Sequence, residues 1–527
     1  MKTFSRLVWD LYKHSEAGQK MIEQFKAVTS AECSGEEMLA LAKKCNPRCF
    51  SNFGDGDDNN IINFYDNLRQ FFCESIAEED KQLITHSEQE MEHCFQWSLK
   101  VRIEAPIEAS IDELPQNIFK YELWWCAIAS WALYSVMPNA FIPNLFAFQF
   151  NYLSRFANRY EIDLPPVPNR SAYKDRCMYY VQLNRILWEY AMLNGITDPA
   201  EVCAFWFGLA LPLAKEEIDG ERNDLPSIPE QAWLLVGNYS EDEKRMTVGY
   251  WQANPMTARG DVLMFYEKSP VKKMNAAWIA QEDGVADPFF HFYGYTLIGD
   301  KIVIPEDQTL TFDDFKASDY FKTENRGSKG NFVSKNFQDC SGWPIPFNDY
   351  AEIKRMLQSK GFDTSVLPSL YEPKTFSTEG INNEEDVYDK LVTPLLEEMG
   401  WKKGVDFRRE VEFAAGHSTT GHVKNKRPDY CLHLTQHGRK VYAKVVIEAK
   451  YFMKNNAELA DTFDQCLSYA SWGQAKVLVL CDKNTIYVYE PDRNGEFDLN
   501  HHRTRYRWAE LSNPEKFKEL KSKLNIK

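Results

Sequence analysis

The sequence predicts a multidomain α+β protein with a helical N-terminal domain, a strand-rich middle domain and a C-terminal α/β domain. Three observations carry this. First, 527 residues exceed what one hydrophobic core organises. Second, apolar residues recur at three- and four-residue spacing up to a turn-rich stretch, DGERNDLPSIPEQ. Beyond it the chain becomes short runs of aromatic and β-branched residues. Third, charge changes sign along the chain. After residue 400 there are 23 Lys and Arg against 16 Asp and Glu, a net +7, whereas the first 400 residues carry −23 within a total of −16. That asymmetry marks a polyanion-binding module on an otherwise acidic protein.

Residues 1–222 read as helices: GEEMLALAKKC, HSEQEMEHCFQWSLKV, DRCMYYVQLNRILWEYAML and PAEVCAFWFGLAL all show the helical period. Leu123–Met137 is the most apolar run, but it ends at Pro138 and falls short of the ~20 residues that span a bilayer, so a buried helix and no membrane role are expected. The charged N-terminus does not read as a secretory signal, and twelve scattered cysteines in a large chain fit a reducing cytoplasm. No catalytic constellation stands out in this region, and a role in oligomer formation or in binding a defence-system partner is its default.

Residues 230–358 read as strands, AWLLVGNY, DVLMFYEK, AAWIAQE, FHFYGYTLI and KIVIP, closed by the helix FNDYAEIKRMLQSKG. Residues 359–382 read as a linker. The last domain, 383–527, reads as helix (NEEDVYDKLVTPLLEEMGW), three strands (DFRREVEF, PDYCLHL, KVYAKVVIEAK), a second helix (NAELADTFDQCLSYAS) and two more strands (KVLVLCD, TIYVYEP).

The chemistry concentrates in that last domain. In VVIEAK, strand alternation puts Glu448 and Lys450 on one face and Ala449 on the other. If the strand opened by Asp429 pairs with it, two carboxylates and an ammonium meet. Adjacent carboxylates repel unless a cation lies between them, and oxygen donors suit Mg²⁺. A cation so held polarises a phosphodiester and acidifies bound water.

These residues resemble the PD-(D/E)xK nuclease superfamily, most closely the N-terminal nuclease domain of type I restriction enzyme R subunits. RPDY supplies Asp429, IEAK supplies Glu448, Ala449 and Lys450, and QCLSYA supplies a Q-x-x-x-Y element, Gln465 and Tyr469. The upstream helix places its acidic residue at Glu384, with Glu385 as the fallback. The resemblance implies a restriction-endonuclease-like αβββαβ core. It also implies Mg²⁺, for which Mn²⁺ can substitute, on Asp429, Glu448, the Ala449 carbonyl and Glu384. Lys450 would be catalytic, with Gln465 and Tyr469 lining the site or touching DNA. Type I R subunits continue into an ATP-driven motor, but no G-x-x-x-x-G-K-[ST] loop occurs here, so no ATP motor is expected.

The middle region is similar to EVE-type domains of the PUA-like fold, on an opening Trp strand, WQANP before the turn at Gly260 and Asp261, FYEK and LTFDDFK. The resemblance implies a small β-barrel that reads a modified base, with Trp251, Asn254 and Trp343 as pocket candidates and Trp278 behind them. The expected whole is a Mg²⁺-dependent DNA endonuclease of restriction or anti-phage defence. The alternatives are a nuclease-fold nucleic-acid-binding subunit of a larger defence complex and a non-specific nuclease gated by a nucleotide signal or partner.

Overall fold

A computed structural model describes residues 1–48, 58–106, 108–221, 228–238, 249–322, 331–413, 427–437 and 440–525. It is mixed helix and sheet and divides into two compact units, Met1–Ser369 and Leu370–Lys527.

In the first unit the expected helices form where their signals lie. Ser34 caps Gly35–Cys45 in a capping box with Glu37, and Ser87 caps Glu88–Arg102. The apolar run becomes the helix Trp125–Val136, buried at nearly every position. No helix among the described residues is long and apolar enough to cross a membrane.

The strand-rich region departs from expectation. Strands β1 (Ala232–Gly237), β3 (Val262–Glu267), β4 (Lys273–Ile279), β7 (Ile302–Val303) and β9 (Trp343–Ile345) lie in the order β7-β4-β3-β1-β9, with β8 (Leu310–Thr311) also on β4. Strands β2 (Tyr250–Gln252), β5 (Val285–Ala286) and β6 (Gly294–Leu297) form a separate sheet, β2-β6-β5. The expected barrel is therefore corrected to open sheets. The reason is topological: β1 pairs with β3 in parallel while β2, between them in the chain, leaves for the other sheet.

The boundary between 1–222 and 230–358 also dissolves. Phe289 belongs to the same apolar core as the helices. Buried Arg176 donates from Nε to the Pro288 carbonyl at 3.1 Å and from Nη2 to that of Phe290. These bonds join residues more than a hundred positions apart and fasten the two regions into one unit, while Trp233, Leu263, Phe265 and Trp278 keep an apolar cluster of their own. The division between the units, after Ser369, falls within the span 359–382 expected as a linker, and beyond it Phe376 and Ile381 enter the core of the second unit.

The second unit is a six-stranded sheet between two layers of helices. Its order is β10 (Phe407–Arg409), β11 (Tyr430–His437), β12 (Lys440–Ala449), β13 (Val477–Cys481), β14 (Thr485–Tyr489) and β15 (Arg503–Arg507). Only β12 and β13 pair in parallel, joined by the crossover helix Asn456–Gly473. One face carries Leu432, Val445, Ile447, Val479 and Ile486 against the opening helix and the C-terminal helix Pro514–Leu524. The other carries Cys431, Val446, Leu478 and Leu480 against the crossover helix. Covered on both sides, β12 and β13 are continuous apolar runs instead of alternating ones.

Candidate active site

The carboxylates sit where an apolar strand is interrupted. Tyr430 pairs with Ile447 across β11 and β12, so Asp429, just before β11, falls beside Glu448. Asp429 does not point away from this position. Its Oδ2 accepts the Ala449 N–H at 2.7 Å, which holds its side chain at the end of β12. Glu448 is 1% exposed. Its Oε1 accepts from Lys450 Nζ at 2.8 Å, and its Oε2 is buried with no hydrogen-bond partner. Burial, then the Asp429 charge, push the Glu448 carboxyl up to about 7 against the pull of Lys450. Burial raises Asp429 as well, although the Ala449 N–H and Lys450 oppose it. Burial pulls Lys450 downward, yet Glu448, Glu384 and Asp429 together outweigh that and raise it, so it stands as an ammonium.

The opening helix supplies the next layer through a widened turn. It runs as α over Glu384–Val387, as π over Tyr388–Val392 and as α again over Thr393–Glu398. Pro394 has no N–H for the Lys390 carbonyl, and the ladder shifts so that Thr393 N–H reaches the Tyr388 carbonyl, five residues back. That carbonyl also accepts from Tyr430 Oη at 3.2 Å, which ties the turn to β11. The Tyr388 hydroxyl then donates to Glu384 Oε1 at 2.7 Å. Burial, the Glu384 bond and the nearby Asp429 raise the phenol strongly, so it stays a donor.

Sequence reasoning named Glu384 but missed Tyr388. The signal was present: Tyr388 lies four residues after Glu384, on the same helical face. The fallback, Glu385, is turned elsewhere and pairs with Arg409 at 3.1 Å. On the crossover helix, Gln465 Nε2 donates to Tyr469 Oη at 2.8 Å, and the Tyr469 phenol, raised chiefly by burial, also feels Glu448 and Asp429. Asp429, Glu448, Lys450, Gln465 and Tyr469 are thus gathered, with Glu384 joined through Tyr388.

Among the described residues, no three His, Cys, Asp or Glu side chains cluster closely enough to hold a metal ion; Glu384, expected as a further acidic ligand acting directly or through water, is engaged within the protein. The Tyr388 hydroxyl occupies its carboxylate. Two carboxylates still fit Mg²⁺, which binds through one or two and keeps several waters. The partnerless Oε2 of Glu448 is the donor that such an ion would satisfy.

The structure holds Asn254 against Gly342, next to Trp343, but packs Trp251 into the core. Trp251 is 5% exposed, its ring stacked on Trp278 at 5.8 Å and edge-on to Phe265 at 5.4 Å, so it is a core residue. Asn254 spends its amide on main chain, donating to the Gly342 carbonyl at 2.8 Å and accepting from Met256 N–H at 2.8 Å. Trp343, next to Gly342, stays half-buried with Lys335 Nζ 4.8 Å from its ring centre. Compared with family models, curated proteins and solved structures, the chain matches none of them.

Proposed function

We propose that the second unit is a Mg²⁺-dependent endonuclease that hydrolyses DNA phosphodiester bonds, in a restriction or anti-phage role. The observation that carries this is Glu448: a buried carboxylate with one oxygen on Lys450 and the other without a partner, beside a second carboxylate. A core strand gains nothing from such a group, since a buried carboxylate oxygen without a hydrogen bond costs free energy. A bound cation would relieve it. Bound Mg²⁺ would polarise the phosphodiester and acidify a water.

The residues themselves do the rest. Asp429 and Glu448 hold their oxygens fixed, Asp429 through the Ala449 N–H and Glu448 through Lys450. The Lys450 ammonium donates to a non-bridging phosphate oxygen as charge builds on it. The Tyr388 hydroxyl, bonded to Glu384, lies beside Asp429, and Gln465 and Tyr469 would form the wall over the strand ends. The test is incubation of the purified chain with modified and unmodified duplex DNA, in Mg²⁺ or EDTA. Cutting that requires Mg²⁺ is expected. Cutting in EDTA, or no cutting of any DNA with any divalent metal, removes the reading, and equal cutting of both substrates removes a modified-base requirement.

A further inference from the structure

We propose that Arg503, Arg505 and Arg507 form a ladder that grips the phosphate backbone of the DNA whose bond lies at Glu448; the substrate's identity rests on the nuclease reading. The ladder follows from register. Glu448 pairs with Leu480, Leu480 with Tyr487, and Tyr487 with Arg505. Directly paired residues project to one face of a sheet, so Arg505 shares the face and the cross-strand row of Glu448. Arg503 and Arg507, two residues to either side, share that face, whereas Tyr506 between them is fully buried on the other.

All three arginines are exposed, and among the described residues none has a carboxylate partner. Other arginines of this unit do: Arg409 pairs with Glu385 and Arg427 with Glu412. The Tyr487 ring lies under two of the guanidinium groups, 5.4 Å from Arg503 and 5.7 Å from Arg505, and limits their freedom. Charges that only guard a sheet edge against pairing need no common face. Here the three stand ~6.8 Å apart along the strand, twice the 3.4 Å axial spacing of phosphates on one DNA strand. From β12 to β15 is three strand spacings, ~14 Å, or about four nucleotide rises.

The test is anisotropy of a short fluorescent duplex titrated with the full chain in EDTA, over a range of salt concentrations. Replacing three phosphate contacts, as Arg503→Ala, Arg505→Ala and Arg507→Ala together, is expected to weaken binding at least tenfold and to reduce the slope of log affinity against log salt by about 2–3. The triple Arg→Lys variant, which keeps the charges, should retain the slope. An unchanged slope in the alanine variant overturns the ladder, and so does an equal loss in the lysine variant, which would mean a disturbed fold. Binding with the expected slope but no Mg²⁺-dependent cutting would sink the nuclease reading and leave the ladder standing. Cutting by the alanine variant with unchanged KM would do the reverse.

Discussion

Asp287 in the first unit and Glu448 in the second are equally hidden, 0% and 1% exposed, and burial raises both, to about 6 and about 7. Their surroundings differ in kind. Asp287 accepts from three backbone N–H groups, Phe148 at 2.8 Å, Phe289 at 2.8 Å and Phe290 at 3.2 Å, and the charge of Arg176 acts on it as well. Glu448 has one partner, a bare oxygen and a carboxylate neighbour. The first arrangement is complete and fastens two stretches of chain together. The second is incomplete within the protein, and an incomplete buried charge is where a ligand is expected.

The largest effect should come from emptying the incomplete site. Asp429→Ala and Glu448→Ala are each expected to lower DNA cleavage at least a thousandfold, about 4 kcal/mol of transition-state stabilisation, with unchanged circular dichroism. A retained rate in either variant would place the chemistry elsewhere. The complete site should behave oppositely. Asp287→Asn turns an NH₂ group toward backbone donors, leaving buried N–H groups unpaired at about 1–3 kcal/mol. Chemical denaturation should show the first unit destabilised by that amount.

Much of the second unit was legible because its central strands are unbroken apolar runs, so Asp429 and Glu448 stood out at their ends. The helix and strand order could be read for the same reason. What failed was whatever depends on distant residues. DFRREVEF reads as one strand, but β10 ends at Arg409, and Glu410 takes a left-handed turn with φ 53°. Tyr388 gains its position from a turn widened at Pro394 and pinned by Tyr430, neither of which periodicity reports. The first unit was divided in two because Arg176 and Pro288 lie 112 residues apart, and local pattern carries no trace of such a bond. Trp251 looked like a pocket residue since an aromatic in a strand has the same signature whether it lines a cavity or fills a core. HHRTRYRW reads as a basic, aromatic-bearing tail; that it holds β15, and which face its arginines take, needed the strand register.

Glu448→Gln sharpens the contrast with Asp287→Asn, because here the amide should stabilise. In EDTA the ionised carboxylate faces Asp429 with the Lys450 ammonium but no metal ion. From about pH 4.5 to about 7 the folded chain holds a proton on Glu448 that the unfolded chain has released. Unfolding then gives up that proton, so stability falls as pH rises through this window and is lowest above it. The amide removes that loss. A melting temperature several degrees higher than wild type at pH 8, and a flatter decline from pH 5 to 8, are expected by calorimetry. Asp287, raised by burial with the same sign, remains in the variant and should leave a residual slope below about pH 6. Saturating Mg²⁺ should close the gap by stabilising the wild type alone. A wild type whose melting temperature rises with pH over this range in EDTA would mean that Glu448 is not held in the protonated form by its surroundings.

The smallest effect tests whether the incomplete site extends to the helix. Tyr388→Phe keeps the ring over Tyr430 and removes only the hydroxyl that reaches Glu384 Oε1. If Glu384 and Asp429 act through that hydroxyl, its loss frees the Glu384 carboxylate and lets Asp429 turn. About a tenfold fall in kcat/KM is then expected, roughly 1.4 kcal/mol, together with a higher Mg²⁺ concentration for half-maximal cutting. Adding Glu384→Gln to the same chain should cost little more, since the two residues form one path. Additive losses would show instead that Glu384 reaches the site independently of Tyr388. That outcome would favour Glu384 as a further acidic ligand in its own right.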